Sequence, residues 1–412
     1  MQIPSIISSR TRPATNDRIG HTSLHGISGL ILLCAAAASA CSNNQSQMQS
    51  GTSGSSPPAT LSIEEVLRIG DEAAGDTVFF SFIENIAVNS RGQIFIEEPM
   101  PAAIRAFDSD GSYLADVGAV GEGPGEYSDP LFGDVLTGPA DSVYVYDTSQ
   151  GRHLSIYEPD KFEFVRNVTI PPYPVEEGNR VENFGILGVV KDGYFFRLRL
   201  VPSRMLVTTH RETSEVIRMV NLDGSYGPVV ATGSGYEGVV ALREIPQLGQ
   251  KIPLPDGIPF GRSMNWGLGP EGMLFSGWND FINIAVMSVN GPEERHISMT
   301  HYPIPVSDAD MEDWMSHYGP EMRAKFRERG LHTTKPAYEE LLVDDKNRVW
   351  LELSATQDST VVEWIVLDMD SRVVGKVTLP FGARLKAIRD GRVYAVETKG
   401  GVPTVAVYEL NV

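Results

Sequence analysis

Six oxygen-bearing side chains are spaced so that they could act together: Glu84, Asn85, Asp134, Asn183, Asn265 and Glu339. Glu84 or Asn85 opens one short alternating segment, and each of the other four opens another. Were those openings to converge on one axis, their carboxylate and amide oxygens would offer what a hard cation such as calcium takes. A cation held there would polarise a carbonyl for hydrolysis or elimination. Polar residues lining a water-filled channel would carry the same pattern without a metal. Other chemistries find less. There is no G-x-S-x-G nucleophile turn. His153, His210, His296, His301, His317 and His332 fall on outer strands or insertions, with no H-x-x-x-H spacing among them. The glycine-rich run Gly121 to Gly125 lacks the Gly-Lys-Ser/Thr ending of a phosphate loop, and Glu122 and Glu126 would repel phosphate.

The elements that must position these residues repeat. Ser142-Val143-Tyr144-Val145-Tyr146 is a short alternating strand, and its pattern returns around Phe95, Phe195, Leu274, Trp350 and Tyr394. Successive centres are 49, 51, 79, 76 and 44 residues apart. The short spacings suit one four-stranded propeller blade, and the two long ones imply insertions. A tight turn follows each of the first five copies: Asp108 to Gly111, Pro159 to Lys161, Asn221 to Gly224, Asn290-Gly291, and Asp368 to Ser371. The sixth copy supplies only three strands before Val412. Leu61 to Ile69 is available as its fourth, and pairing with Thr404 to Leu410 would close a ring without open edges. The predicted fold is all-β: a six-bladed β-propeller over residues 61–412, its last blade closed by the N-terminal strand, with insertions at about 232–262 and 301–337.

The insertions carry what is individual to this chain. Residues 232–262 read as a long ordered loop. Ser307 to Arg329 reads as helix, capped by Ser307 with Asp310 and broken at Gly319-Pro320. Met311, Trp314, Met315 and Tyr318 share one face of it, either docked on the propeller or presented to a ligand or partner.

Residues 1–40 read as a signal peptide: Arg10, Arg12 and Arg18 precede an apolar run too short to span a bilayer, which ends Ala38-Ser39-Ala40-Cys41. That ending resembles a bacterial lipobox. The resemblance implies diacylglycerol on Cys41, an outer-membrane address and cleavage before Cys41; ordinary cleavage and release is the other reading. The mature chain would keep this one thiol, so its stability must come from packing rather than a disulfide. Residues 41–60 form a polar tether. The net charge of -19 repels nucleic acid, which is excluded as a partner.

Gly121-Glu122-Gly123-Pro124-Gly125-Glu126-Tyr127 resembles the G-x-G-P-G-E-F/Y signature of secreted bacterial six-bladed β-propellers related to NHL repeats. That family is known by fold and lends no catalytic set. The expected function is a non-enzymatic, monomeric module of the cell envelope that binds a protein, peptide or glycan. The alternative is a metal-dependent hydrolase or lyase, since the oxygen set from Glu84 to Glu339 resembles, in residue type alone, the divalent-metal set of gluconolactonase-type and paraoxonase-type propellers.

Overall fold

The computed structural model describes residues 60–411 apart from 72–74, 76–77, 132, 149–151, 176–178, 203–212, 246–249, 289–293 and 357. The leader, Cys41, the tether up to residue 59 and the Asn290-Gly291 turn therefore lie outside the described residues. The first strand, β1 (Ser62–Ile69), belongs to the last sheet of the chain. Blade 1 is β2 (Asn85–Val88), β3 (Ile94–Pro99), β4 (Ala102–Phe107) and β5 (Tyr113–Asp116). A small parallel pair, β6 (Ala119–Val120) and β7 (Glu126–Tyr127), crosses to blade 2: β8 (Gly133–Thr137), β9 (Val143–Asp147), β10 (His153–Tyr157) and β11 (Phe164–Thr169). Blade 3 is β12 (Asn179–Val190), β13 (Gly193–Pro202), β14 (Ser214–Asn221) and β15 (Tyr226–Ser234). A hairpin, β16 (Gly238–Ile245) and β17 (Gln250–Gly257), leads to blade 4: β18 (Met264–Leu268), β19 (Met273–Trp278), β20 (Asn283–Ser288) and β21 (Glu294–Ser298). Two helices, α1 (Asp308–Ser316) and α2 (Pro320–Arg329), precede blade 5: β22 (Tyr338–Val343), β23 (Val349–Leu353), β24 (Val361–Leu367) and β25 (Val373–Pro380). Blade 6 is β26 (Arg384–Arg389), β27 (Arg392–Lys399), β28 (Val402–Asn411) and, outermost, β1.

Period-two alternation explains why sheets of this kind need neighbours. Along β9, Val143 and Val145 pack with Phe95 of blade 1, whereas Tyr144 and Tyr146 pack with Tyr194 and Phe196 of blade 3. Each second strand is therefore buried on both faces. On β23, Trp350 faces blade 6 while Val349 and Leu351 face blade 4. Closure follows the predicted pairing: β1 runs antiparallel to β28 from Ser62 opposite Asn411 to Ile69 opposite Val405. The Asp108, Asn221 and Asp368 turns close by donation from Gly111, Gly224 and Ser371 to the carbonyls of Asp108, Asn221 and Asp368.

The glycine-rich crossing is structural. Glu126 folds back so that its Oε2 accepts from Gly123 N at 2.7 Å, and Gly125 O accepts from the Tyr157 hydroxyl at 2.9 Å. Gly125 has φ +77° and a Cβ there would come within 2.7 Å of the Phe164 ring, so the turn admits no side chain. The loop's own glutamate occupies the amide that a phosphate would need.

Residues 232–262, expected as a long ordered loop, contain the end of β15 and then the β16–β17 hairpin instead, with Gly238 opposite Gly257 and Ile245 opposite Gln250. The helical insertion follows the predicted limits. Ser307 Oγ accepts from Asp310 N at 3.1 Å while Asp310 Oδ2 accepts from Ser307 N at 3.0 Å, a capping box.

Candidate functional site

In every blade the first strand in order lines the axis, except that β26 does so in blade 6 while β1 lies outside. Both insertions join the outermost strand of one blade to the innermost strand of the next, β15 to β18 and β21 to β22. Topology thus puts them on the same face of the ring, the face on which the inner strands begin. There they pack on each other. Val239, Ile258, Met315, Met322 and Phe326 are buried together, with Met311, Trp314, Tyr318 and Leu331 half-buried around them. Trp314 stacks on Tyr318 at 4.7 Å, and Phe326 meets both rings edge-on. Met311, Trp314, Met315 and Tyr318, the expected ligand-binding face, therefore contribute to the core that joins helices to hairpin. Buried Lys335 fastens this cap to the ring by donating to Asp310 Oδ1 and Ala355 O, each at 2.7 Å.

Ionisable groups gather at the axial end of the same face. Glu84 stands just before β2, Asp134 on β8, Glu340 on β22, and Lys386 and Arg384 on β26. Behind them Glu97, on the second strand of blade 1, is wholly buried. Its Oε2 accepts from Val135 N at 3.1 Å, and its Oε1 has no hydrogen-bond partner. Burial, then the charges of Asp134 and Glu84, push the Glu97 carboxyl well above the usual carboxylate range. Asp134 is pushed up to about 7, first by burial and then by Glu84, against the pull of Lys386. Burial likewise raises Glu340, opposed by Lys386 and Arg384, and lowers Lys386, opposed chiefly by Glu340. Asp134, Glu340 and Lys386 keep some accessible surface although protein surrounds them, as channel-lining groups do. Arg384 donates to Ile83 O at 2.6 Å and lies over the Phe82 ring.

Beside Asp134 is a pocket of about 190 Å³, also lined by Gly185, Ile186, Leu187, Arg197 and Arg199. Its arginines are locked from behind. Wholly buried Glu215 accepts from Arg197 Nε at 3.0 Å and Nη2 at 2.8 Å, and from Arg199 Nε at 3.0 Å and Nη2 at 2.8 Å. Trp266 Nε1 completes the set at 2.7 Å from Glu215 Oε2. The Arg199 guanidinium lies 4.7 Å over the ring of Tyr236, in the segment that leads into the hairpin, which ties the pocket wall to the cap.

Of the six oxygen-bearing residues first singled out, the structure brings Glu84 and Asp134 within electrostatic reach of one another. Asn85 is engaged locally: its Oδ1 accepts from Ile86 N at 2.9 Å and its Nδ2 donates to Val135 O at 3.3 Å. Asn265 Nδ2 donates to Ser263 O at 3.3 Å, and Glu339 accepts from Ser354 Oγ at 2.7 Å. Asn183 lies on β12 opposite Arg199, and its side chain is outside the described residues. Among the described residues, no three His, Cys, Asp or Glu side chains come together as a metal-ion group. The sequence reading missed Glu97, Glu340, Lys386, Arg197 and Arg199. Irregular register explains two of these: β22 shifts between Tyr338 and Glu340, and β26 between Leu385 and Ala387. The others sit on second strands, where a charged residue in Ile94-Phe-Ile-Glu or Phe196-Arg-Leu-Arg is wholly or largely covered and so needs a partner or a purpose.

Residues 74–204 match the model of a family described as a 6-bladed beta-propeller. No curated protein matches. Solved structures of similar shape include a protein of Bacteroides fragilis described as exported, with 10% identity and a TM-score of 0.44 over 84% of this chain and 94% of the other. The PQQ-bound aldose sugar dehydrogenase of Streptomyces coelicolor has 15% identity and a TM-score of 0.40, over 86% of this chain and 100% of its own. Virginiamycin B lyase of Staphylococcus aureus has 10% identity and a TM-score of 0.39, over 85% of this chain and 99% of its own. No described helix is long and apolar enough to cross a membrane. The family match covers blades 1 and 2 and the first half of blade 3, and the observed sheets continue the same architecture around the axis to the β1–β28 closure: the chain is a six-bladed β-propeller.

Proposed function

We propose that the chain is a binding module of the cell envelope that takes a protein, peptide or glycan ligand on its capped face, at the pocket beside Asp134. One observation carries the reading: both insertions rise on the face where the inner strands begin, and Arg199 joins their base at Tyr236 to the pocket wall. Binding sites are commonly built on loops held by a rigid scaffold, and here the added chain is concentrated on one side of the ring.

Gly185 provides the test. It lines the pocket, and a Cβ built on it meets nothing within 4 Å. Gly185→Leu should fill the pocket and leave the melting temperature unchanged. Glycan and peptide arrays probed with both proteins should give hits for the native chain that vanish for the variant. Hits of equal strength on both proteins would place the ligand elsewhere and reject the reading.

The envelope address rests on the Cys41 signal. Two acyl chains, each contributing roughly 0.8 kcal/mol per buried CH₂, would anchor the protein without a transmembrane helix. Cys41→Ser should move the protein from the membrane fraction to the soluble fraction and abolish palmitate incorporation. Unchanged membrane association in the variant would reject lipidation.

A further inference from the structure

Resting on the reading of the capped face as a ligand site, we propose that the pocket is an anion site that receives a carboxylate of the ligand on the Nη1 ends of Arg197 and Arg199. Every hydrogen bond these two side chains make uses Nε or Nη2: both nitrogens of each reach Glu215, and Arg197 Nη2 also reaches Met264 O at 3.5 Å. Nη1 of each donates to nothing among the described residues, leaving two N–H groups per arginine. Both side chains line the pocket and keep part of their surface accessible, 34% for Arg197 and 20% for Arg199.

Charge points the same way. Two guanidinium groups share one buried carboxylate, so the Arg197, Arg199 and Glu215 group carries a net positive charge of its own, faced across the pocket by Asp134. Glu215 is completely inaccessible and Trp266 fixes its other oxygen, so the two forks are held in one orientation before any ligand arrives. Paired, pre-oriented guanidinium groups bind carboxylates more strongly and with sharper geometry than a single mobile cation. The opposite wall brings Asp134, whose side chain makes no hydrogen bond or ion pair among the described residues. It can accept from hydroxyl or amide groups next to the carboxylate. With Ile186 and Leu187 as apolar floor and about 190 Å³ of space, the pocket takes one residue-sized unit, well below the size of a drug-sized site. An acidic sugar and the carboxyl end of a peptide both supply this chemistry.

Calorimetric titration of the full chain with four probes separates these sources and tests the proposal. D-Glucuronate and N-acetyl-L-alanine carry the carboxylate, and methyl glucoside and N-acetyl-L-alaninamide are their neutral counterparts. At least one acid should bind about tenfold or more tighter than its neutral counterpart, and the acid that does so identifies the ligand as sugar or peptide. That preference should fall to about unity in Arg199→Gln. It should disappear along with all probe binding in Gly185→Leu, which removes no polar contact and so separates a lost site from a damaged fold. Acid and neutral probes that bind alike, or an acid preference that survives in Gly185→Leu, overturn the carboxylate assignment. If array hits are nevertheless lost in Gly185→Leu, the pocket reading stands with a different ligand chemistry. If the hits also persist there, both fail.

Discussion

Removing residues 61–69 while keeping the leader and tether should leave a protein that no longer melts cooperatively. These nine residues serve two blade interfaces at once. Leu61 is buried with Trp350, Trp364, Val377 and Leu379 between blades 5 and 6, and its N–H donates to Lys376 O at 2.9 Å. Ile69 is buried with Phe80, Ile83, Val405 and Val407 between blades 6 and 1. Burial of those two side chains contributes roughly 3–6 kcal/mol together, and half-buried Ile63 and Leu67 add to it. The main-chain bonds to β28 add roughly 1 kcal/mol each, and the Arg68 side chain adds its bonds to Glu397 and Thr404 across the seam. A loss on the order of 10 kcal/mol is comparable with the whole stability of an ordinary domain, roughly 5–15 kcal/mol. Deletion also opens the edge of β28 to intermolecular pairing. Circular dichroism melts of the two proteins decide the matter: a sharp transition within a few degrees of the native one would show that the ring does not depend on this latch. A synthetic peptide of residues 60–70 added in trans should restore the transition.

The ring was legible in the sequence because its cause is local. A strand buried on both faces must alternate between two sets of apolar side chains, as Val143-Tyr144-Val145-Tyr146 does, and its turn must end in residues such as Asp108 and Gly111. The closing strand was legible for a similar reason, since a sixth copy with three strands leaves one edge unmet. The site was legible only in part. Asp134 and Glu84 follow from counting one polar residue per blade start, but the count fails wherever the strand shifts register. At β22 it selected Glu339, which bonds to Ser354, whereas Glu340 is the carboxyl that Lys386 and Arg384 influence. Glu215 holds Arg197 and Arg199 from the neighbouring strand of the same blade, yet Trp266 arrives from the next blade, 51 positions on, and no spacing rule anticipates that meeting. The aromatic face of α1 shows a further limit. Amphipathicity identified the side chains correctly but cannot name what covers them, and Phe326, Met322 and the hairpin base do so.

The acid cluster makes a second large effect testable, because it should render the fold less stable at neutral than at mildly acid pH. Asp134 ionises near 3.8 in an unfolded chain and near 7 in the folded one. As pH rises from about 4, the unfolded chain releases this proton while the folded chain retains it. The unfolded state is thereby favoured progressively, until the folded carboxyl has ionised as well, a little above pH 7. Glu97 and Glu340, also raised, act in the same direction. Lys386 acts oppositely at higher pH: its lowered value means that the folded chain gives up a proton before the unfolded chain does, and stability recovers through that window. Asp134→Asn keeps the shape and removes this contribution, so the variant should gain up to about 4 kcal/mol over the native protein at pH 8 and almost nothing at pH 4. Some of that gain is lost to solvent at the channel mouth, where Asp134 keeps accessible surface. Urea melts at pH 4, 5.5, 7 and 8 should show a native midpoint that falls across the series and a variant midpoint that falls markedly less. Parallel midpoints in the two proteins would mean that Asp134 ionises like an ordinary surface carboxylate, and that Glu84 and Lys386 do not act on it as a buried group.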